Sequence, residues 1–295
     1  MDSSNIKVVV TGASGFLGRA VLSEAQRRGL HAVGMAHTRA SGGLAQVDLL
    51  DAQATGDFIA REAPQCIIHC AAEKRPAAVE HSTQAHRLNV EVPALLARLA
   101  QTHNAYLIYV STEYVFDGTS PPYEAHDAPN PLNKYGLSKL QGEHAALANA
   151  GAAVLRLPLL YGRTVDPAES QFGALVQKLC SGARLEANAW QKRYPTSTED
   201  VARVLIDMSM SAASAGWLSG IYQFASQEML TQYTMCEALK DILGSASEIV
   251  PLTHSVDSVV RPEDTRMSVR ALEEAGINVQ CTPFRQWWTT HLQTL

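Results

Sequence analysis

Several features that mark other classes of protein are absent from this 295-residue sequence. Its 24 lysine and arginine residues are outnumbered by 29 aspartate and glutamate residues, and the net charge of −5 argues against a nucleic-acid partner. The N-terminus lacks the basic-then-apolar order of a secretion signal. No apolar run approaches the ~18–20 residues needed to cross a bilayer. These absences predict a cytoplasmic protein that binds neither nucleic acid nor membrane.

Cysteine is also scarce, and its five positions do not have the spacing of metal ligands. Cys66 and Cys70 lie on the apolar run QCIIHCAA, where small buried thiols are common. We therefore predict reduced cysteines and no metal site.

The first half of the sequence contains a regular alternation of short apolar runs and helical patterns. Helical patterns follow the first run and recur near 52–62, 84–102 and 132–149. Continuous apolar strands that alternate with helices predict a parallel sheet covered on both faces. The predicted fold class is therefore α/β, with a Rossmann-type doubly wound parallel sheet. The apolar runs are IKVVV, HAVGMA, AQVDLL, QCIIHCAA, AYLIYVST and AAVLRLPLLYG.

A glycine-rich turn follows the first predicted strand. In VVVTGASGFLGRAV, the residues Gly12, Gly15 and Gly18 have the spacing G-x-x-G-x-x-G. Such glycines allow a tight turn, close approach to a pyrophosphate, and close packing of helix on strand. The backbone N–H groups at the helix start would then face the phosphates. Because the turn opens a βαβ unit, we predict a dinucleotide site.

The end of the second predicted strand indicates which dinucleotide binds. A carboxylate there would bond the ribose 2′-hydroxyl of NAD, but the sequence offers His37, Thr38 and Arg39. A guanidinium suits a 2′-phosphate, so we predict NADP(H). The alternative is that Arg39 is a solvated loop residue.

The alternation breaks after about residue 163. We predict an NADP-binding Rossmann domain over residues 1–163 and a smaller substrate-binding lobe over 164–295. Later segments could return to the first domain, and GIYQFAS is predicted as an isolated strand in the second half.

A phenol and an ammonium group lie one helical turn apart in NPLNKYGLSKLQGEHAA. An isolated pair such as Tyr135 and Lys139 is most often an ordinary surface contact. Here, however, the strand AYLIYVST places Thr112 at the carboxyl edge of the sheet, where ligands bind. We predict that Lys139 lowers the pKa of Tyr135, which then exchanges a proton with a carbonyl substrate held by Thr112.

These motifs resemble those of the extended short-chain dehydrogenase/reductases along nearly the whole chain. Within that family the sequence is similar to dTDP-4-dehydrorhamnose reductases and to regulatory β subunits of methionine adenosyltransferase. The segments that carry the resemblance are STEYVFDGTSPPYEAHDAPNPLNKYGLSKLQGE (111–143), HCAAEKRPAAVE (69–80), GAAVLRLPLLYG (151–162), WQKRYPTSTEDVA (190–202) and RPEDTRMS (261–268).

The resemblance implies a role for each matching position. The implied catalytic set is Thr112, Tyr135 and Lys139. The implied cofactor contacts are Thr11, Gly12, Ser14, Gly15, Phe16, Leu17, Gly18, His37, Thr38, Arg39, Asp48, Leu49, Cys70, Ala71, Ala72, Asn89, Tyr135, Lys139, Pro158 and Leu160. The implied substrate contacts are Glu73, Lys74, Arg75, Glu113, Tyr114, Trp190, Arg193 and Arg261. Asn89 could equally be a polar helix residue that faces water, and surface ion pairs are the alternative for the charged substrate residues.

Three functions are compatible with these motifs. The first is an NADPH-dependent reductase of a small, anionic, nucleotide-sugar-like carbonyl compound, favoured by the complete catalytic set. The second is a non-catalytic regulatory subunit whose partner is the methionine adenosyltransferase catalytic subunit, favoured by segments 69–80 and 190–202. Family regulatory subunits continue into a basic, aromatic tail, whereas this sequence ends at TPFRQWWTTHLQTL. The third and weakest is an epimerase or dehydratase, for which Glu113 is the candidate acid; it stands where the sugar reductases commonly have Asp. A homodimer through helices 84–102 and 132–149 is a further assembly that the family often forms.

Overall fold

The predicted parallel sheet forms the centre of the fold. A computed structural model of the protein describes residues 6–211, 216–254 and 259–292, so residues 1–5 of the predicted first domain lie outside it. The strands of the described ranges are β1 (Lys7–Thr11), β2 (His31–Ala36), β3 (Ala45–Gln46), β4 (Cys66–His69), β5 (Tyr106–Thr112), β6 (Ala153–Leu157), β7 (Leu160–Tyr161), β8 (Leu185–Asn188), β9 (Thr196–Ser197), β10 (Gly220–Gln223) and β11 (Ile249–Leu252).

Helices connect most of these strands. They are α1 (Phe16–Arg27), α2 (Ala52–Glu62), α3 (Pro76–Val79), α4 (Thr83–His86), α5 (Val92–Thr102), α6 (Lys134–Leu147), α7 (Gln171–Cys180), α8 (Thr198–Met210), α9 (Gln232–Leu243), α10 (Arg270–Glu274) and α11 (Phe284–Leu292). A π-helical turn covers Arg87–Glu91, and 3₁₀ turns cover Glu113–Val115 and Pro167–Glu169. Within the described ranges, no helix has the length and apolar character needed to span a membrane.

The main sheet has the strand order β3-β2-β1-β4-β5-β6-β10, and its neighbouring strands are parallel. Since the strands are parallel, their carboxyl ends meet at one edge of the sheet. The order reverses on either side of β1, which opens a crevice for ligands at the ends of β1 and β4. The predicted Rossmann-type fold is confirmed.

Both faces of this sheet are buried, which explains the unbroken apolar runs in the sequence. Side chains alternate along a strand, so Val8 and Val10 face one layer while Val9 faces the other. The first layer holds α1 and α8, with Val201 and Leu205 among its buried residues. The second layer holds α2, α5 and α6.

The prediction of an isolated strand at GIYQFAS is wrong. Gly220–Gln223 forms β10, which pairs in parallel with β6 and completes the edge of the main sheet. The chain therefore returns to the first layer after leaving it at residue 163, and α8 returns with it to pack on α1. Segments on both sides of residue 163 therefore contribute to the main sheet. The division into two domains at that residue stays a prediction.

A smaller lobe is built from the remaining elements. It contains two short parallel pairs, β7 with β9 and β8 with β11. Its core is aromatic: Tyr161 is fully buried and its ring lies 5.0 Å from Phe284 and 5.2 Å from Trp287, centroid to centroid. The last described helix, α11, supplies this aromatic core and so closes the lobe.

The single helix expected over 84–102 is interrupted. The chain forms α4, then the π-helical turn Arg87–Glu91, then α5. A π turn holds one residue more than an α-helical turn, and such turns are frequent at functional sites. Asn89 lies inside this turn and is only 1% exposed.

Candidate active site

The glycine-rich turn lies at the carboxyl end of β1, as predicted. Gly15 is the residue before α1, and no side chain caps the first turn of that helix. Its backbone N–H groups are therefore available to an anion. Gly12 has a φ of +65°, and a Cβ placed there would lie 2.8 Å from the Ala71 backbone nitrogen. A side chain at Gly12 would collide with the Ala71 backbone, so only glycine lets the loops after β1 and β4 pack together. The bare backbone of the turn then forms a cradle where a pyrophosphate could lie.

Residues after β4 complete this end of the crevice. The Thr11 hydroxyl lies 2.6 Å from Nδ1 of His69, and the Ala71 N–H donates to the same hydroxyl oxygen over 3.4 Å. Burial, and then the charge of Lys139, lowers the pKa of His69 to about 3, so its imidazole is neutral. Burial raises the pKa of the neighbouring Cys70 thiol to about 12. Both side chains act here as uncharged packing groups beside the cradle.

The end of β2 carries the residues predicted to distinguish the two dinucleotides. His37 and Thr38 are exposed, and His37 Nε2 lies 3.8 Å from an Asp48 carboxylate oxygen. Arg39 pairs with Glu169, 2.7 Å between NH1 and Oε1. Asp48 also accepts a hydrogen bond from the Leu50 N–H, so it shapes the loop that follows β3. Arg39 is therefore in an ion pair, but 59% of its side chain is exposed, so the alternative of a solvated loop residue stays open.

Asn89 joins the helix layer to the loop after β4. Its side chain accepts from the Glu73 N–H over 3.0 Å and donates to the Glu73 carbonyl over 3.1 Å. It also donates to the Ser138 hydroxyl, one position before Lys139. The alternative that Asn89 faces water is wrong, because the residue is only 1% exposed and its amide bonds to other protein groups. Asn89 positions the loop over the crevice.

The predicted catalytic residues come together at the carboxyl end of β5. Asn133 caps α6 by accepting a hydrogen bond from the Gly136 N–H over 2.9 Å, which fixes the start of the helix just before Tyr135. Tyr135 interacts with the Thr112 hydroxyl at the end of β5, and its ring packs edge-on against Tyr114. The Lys139 ammonium donates to the Val110 carbonyl of β5 over 2.8 Å.

The expected effect of Lys139 on Tyr135 is not seen in this structure. Burial raises the pKa of Tyr135 above its usual range, although the Thr112 hydroxyl opposes the rise. The reason lies in where the ammonium points: Lys139 Nζ is 4.1 Å from the centroid of the Tyr109 ring and bonds to β5. Burial lowers the pKa of Lys139 itself to about 7, against the opposing charge of Glu143. Tyr135 is a protonated phenol at neutral pH, as an ordinary tyrosine also is, and its raised pKa makes it a weaker acid than the sequence predicts.

A buried ion pair joins α6, the helix that holds Tyr135 and Lys139, to the sheet. Both Arg156 of β6 and Glu143 of α6 are 1% exposed, and two hydrogen bonds of 3.0 and 2.8 Å join them. Ser111 of β5 donates to the same carboxylate over 2.5 Å. These contacts link α6 to two neighbouring strands, one turn beyond Lys139.

Glu113 is buried against the smaller lobe. The Thr265 hydroxyl donates to its carboxylate over 2.7 Å, and the Leu159 N–H also bonds to it. Burial raises the pKa of Glu113, while the Arg193 charge opposes this. Because the carboxylate is already bonded to segment 261–268, the idea that it serves as an epimerase or dehydratase acid loses support.

The other residues predicted to face substrate are divided between two places. Arg193 is 7% exposed, donates to the Pro262 carbonyl, and its guanidinium carbon lies 5.8 Å from the centroid of the Tyr114 ring. Trp190 lies near this group in sequence with its indole nitrogen buried, and Arg261 begins the segment that contacts both Glu113 and Arg193.

Lys74 and Arg75 lie on the opposite side of the crevice. Arg75 is exposed and pairs with Glu73, 2.7 Å between NH2 and Oε2. Lys74 lies 5.3 Å from the centroid of the Phe16 ring and donates to the Glu169 carbonyl, so it lies beside the start of α1. Pro158 is buried between β6 and β7, and Leu160 pairs with Thr196 in the small lobe. Within the described ranges, no group of three His, Cys, Asp or Glu side chains could hold a metal ion.

The sequence over residues 6–295 matches the family described as the RmlD substrate binding domain. The chain belongs to this family. The resemblance to extended short-chain dehydrogenase/reductases is thereby confirmed, since curated members of both predicted kinds are among its relatives.

Two relatives of this RmlD-family chain represent those two kinds. Methionine adenosyltransferase 2 subunit beta from Bos taurus is 42% identical over 286 residues, covering 95% of this chain and 85% of that protein. The dTDP-4-dehydrorhamnose reductase of Mycolicibacterium smegmatis is 30% identical over 295 residues, covering 97% of this chain and 84% of that protein. Among solved structures, the dTDP-4-dehydrorhamnose reductase of Bacillus anthracis in complex with NADP has a TM-score of 0.85 at 21% identity, with 99% of each chain covered.

Several residues of the RmlD-family site escaped the sequence reasoning. Arg19 follows the third glycine of the turn and donates to the Ser14 carbonyl over 2.7 Å, a position that could have been noticed. Glu169 and the Glu143–Arg156 pair had no such signal, because their partners are distant in sequence. The cradle at Gly12 and the cations Arg19 and Arg39 fit a phosphorylated dinucleotide.

Proposed function

We propose that this chain is an NADPH-dependent reductase that converts a carbonyl group to an alcohol. The observation that carries the proposal is the convergence of Thr112, Tyr135 and Lys139 at the end of β5, next to the backbone cradle at Gly12. When NADPH is bound, its nicotinamide supplies the hydride that the carbonyl carbon accepts. The predicted cofactor contacts and catalytic set belong to this proposal.

The chain's own residues would manage the oxygen of the carbonyl group. The Thr112 hydroxyl hydrogen bonds the oxygen and fixes its position. Tyr135, a protonated phenol at neutral pH, gives its proton to the oxygen as negative charge develops there. Lys139, with a pKa of about 7, lies close to β5 and can gain or lose a proton near neutral pH.

The substrate that we propose is small and anionic, similar to a nucleotide-linked 4-keto sugar. Arg193 and Tyr114 lie together on the small-lobe side, where a cation and an aromatic ring could hold a nucleotide base and its phosphates. The 30% identity to a dTDP-4-dehydrorhamnose reductase supports the same substrate class.

The decisive experiment follows nicotinamide absorbance while purified protein is mixed with NADPH and a panel of nucleotide-linked 4-keto sugars. We expect oxidation by the wild type and a loss of at least about a hundredfold in Tyr135→Phe, the usual contribution of a positioned acid. Tyr222→Phe, which removes a phenol hydroxyl from edge strand β10, is the matched control and should keep full turnover. Full turnover in Tyr135→Phe would refute the mechanism.

A second function is favoured by a specific observation. The identity to methionine adenosyltransferase 2 subunit beta, 42%, exceeds that to the reductase. Under this hypothesis the chain binds NADP(H) without turnover and assembles with a methionine adenosyltransferase catalytic subunit. Co-purification of the two proteins at micromolar concentration is expected if it is correct. Absence of a complex, together with turnover of a keto sugar, would refute the regulatory function and support the reductase.

A further inference from the structure

The Glu169 carboxylate lies among the cations beside the glycine-rich turn. Glu169 ends the 3₁₀ turn Pro167–Glu169, and its side chain is 9% exposed. Oε1 lies 3.0 Å from Arg19 NH1 and 2.7 Å from Arg39 NH1. Oε2 is bonded by Arg19 NH2 and by the Val165 N–H. Both oxygens of Glu169 are therefore saturated by donors.

The two arginines are placed where a 2′-phosphate would be recognised. Arg19 also donates to the Ser14 carbonyl, so its guanidinium lies against the glycine-rich turn. Arg39 follows β2, the strand whose end meets the adenosine ribose in Rossmann folds. A third cation, Lys74, donates to the backbone carbonyl of Glu169 over 2.8 Å. The Glu169 carboxylate thus takes the donors that a phosphate would use.

We propose that Glu169 competes with the 2′-phosphate of NADP(H) for Arg19 and Arg39, and so sets the preference between phosphorylated and unphosphorylated cofactor. This inference rests on the proposed function, because it requires that a dinucleotide binds in this crevice. The chemical basis is that a carboxylate and a phosphate each present two oxygens that can accept two parallel hydrogen bonds from the planar guanidinium group.

The charge of the Glu169 carboxylate favours its ion pairs with Arg19 and Arg39. Burial opposes ionisation, but hydrogen bonds from Arg19 and Arg39 outweigh it and lower the pKa of Glu169 to about 2. The carboxylate therefore stays charged throughout the physiological pH range and keeps its place. NADP(H) must displace it from at least one arginine, whereas NAD(H), with a hydroxyl at that position, need not.

The size of the effect follows from the fraction of molecules that can accept the phosphate. A site that is competent in only about one molecule in ten binds its ligand with an apparent affinity about tenfold weaker. Removing the charge of Glu169 should release that penalty for NADPH alone. The expected change is a rise of about tenfold in NADPH affinity, with NADH affinity altered by less than about twofold.

The test is a pair of fluorescence titrations, with NADPH and with NADH, on the full-length chain at one fixed ionic strength. Glu169→Gln keeps the side-chain shape and removes the charge. Glu169→Asp keeps the charge on a side chain one methylene shorter, and it should give an intermediate NADPH affinity. The matched control is Glu24→Gln, which removes a carboxylate that pairs with Arg27 and Arg28 at the far end of α1, the helix that holds Arg19. It should change neither affinity by more than about twofold.

Each other outcome overturns the proposal in a recognisable way. Weaker NADPH binding in Glu169→Gln would mean that Glu169 orients the arginines for the phosphate. Weaker NADH binding alone would mean that the carboxylate accepts a ribose hydroxyl. An unchanged affinity ratio in a protein that still binds NADPH refutes this inference and leaves the proposed function intact. Failure of wild type and Glu169→Gln to bind either nucleotide refutes both.

Discussion

The buried ion pair between Glu143 and Arg156 offers the sharpest test of how α6 is held against the sheet. Both side chains are 1% exposed, and each guanidinium nitrogen and each carboxylate oxygen has a partner: two bonds join the pair, Ser111 adds one, and Arg156 NH1 donates to the Ala125 carbonyl. Glu143→Gln keeps the shape but leaves the Arg156 guanidinium buried without a counter-charge.

Loss of one partner of a buried pair typically costs about 3–5 kcal/mol, because the remaining charge stays out of water. At roughly 2 °C per kcal/mol for a chain of this size, the unfolding midpoint should fall by about 6–10 °C. Arg156→Met should cost a similar amount. The double variant Glu143→Met with Arg156→Met should recover most of the loss, since two apolar side chains can replace a buried pair at little cost.

Urea unfolding followed by circular dichroism gives the free energies for this double-mutant cycle. Glu91→Gln is the matched control, because Glu91 pairs with Arg87 at the surface and should contribute at most about 0.5 kcal/mol. A loss below about 1 kcal/mol in Glu143→Gln would refute the reasoning. So would a double variant no more stable than the weaker single variant.

Three further predictions concern single positions. The pKa of Lys139 is about 7 in the folded chain, against a reference value of 10.5. Between these two pH values the unfolded chain binds more protons, so the free energy of unfolding rises with pH. Relative to Lys139→Met, wild type should therefore gain stability from pH 7 to 9 in urea titrations, and a constant difference would contradict the assigned burial. Gly12→Ala should destabilise the fold by more than the ~1–2 kcal/mol of a left-handed alanine, because its Cβ meets the Ala71 backbone, and it should abolish NADPH binding. The control is Gly29→Ala, at φ +75° in open space. It should cost only that amount and bind NADPH normally in fluorescence titration. Leu239→Ala in the small-lobe core should cost about 2–5 kcal/mol in the same unfolding assay, and a loss under about 1 kcal/mol would argue against close packing there.

The sequence predicted the first part of the fold well because local signals and the final structure agree there. β1, β2, β4, β5 and β6 are continuous apolar runs with helices between them, and a sheet buried on both faces requires that pattern. β10 was misplaced because GIYQ is short and half-buried, and nothing local indicates that it pairs with β6.

The site shows the same division. The placement of Tyr135 and Lys139 on one helix, and of the glycine turn after β1, could be predicted because each motif lies within one short segment. The contacts of Glu169 with Arg39 and Arg19 span 130 and 150 positions of the chain, so no sequence period could indicate them. Likewise, the direction of the Lys139 ammonium depends on the Val110 carbonyl of another element. Pairings between distant segments require the folded structure.

The π-helical turn Arg87–Glu91 has a consequence for how this helix can change in length. An α-helix advances by about 100° per residue, so the extra residue in the turn offsets the faces of α4 and α5 by that angle. Deleting one residue here would let an ordinary helix run through, but it would rotate the upstream segment and carry the Asn89 amide away from the Glu73 backbone. The extra residue thus sets the rotation of one helical segment relative to the other. An insertion or deletion nearby would change the position of the loop after β4 as well as the length of the helix.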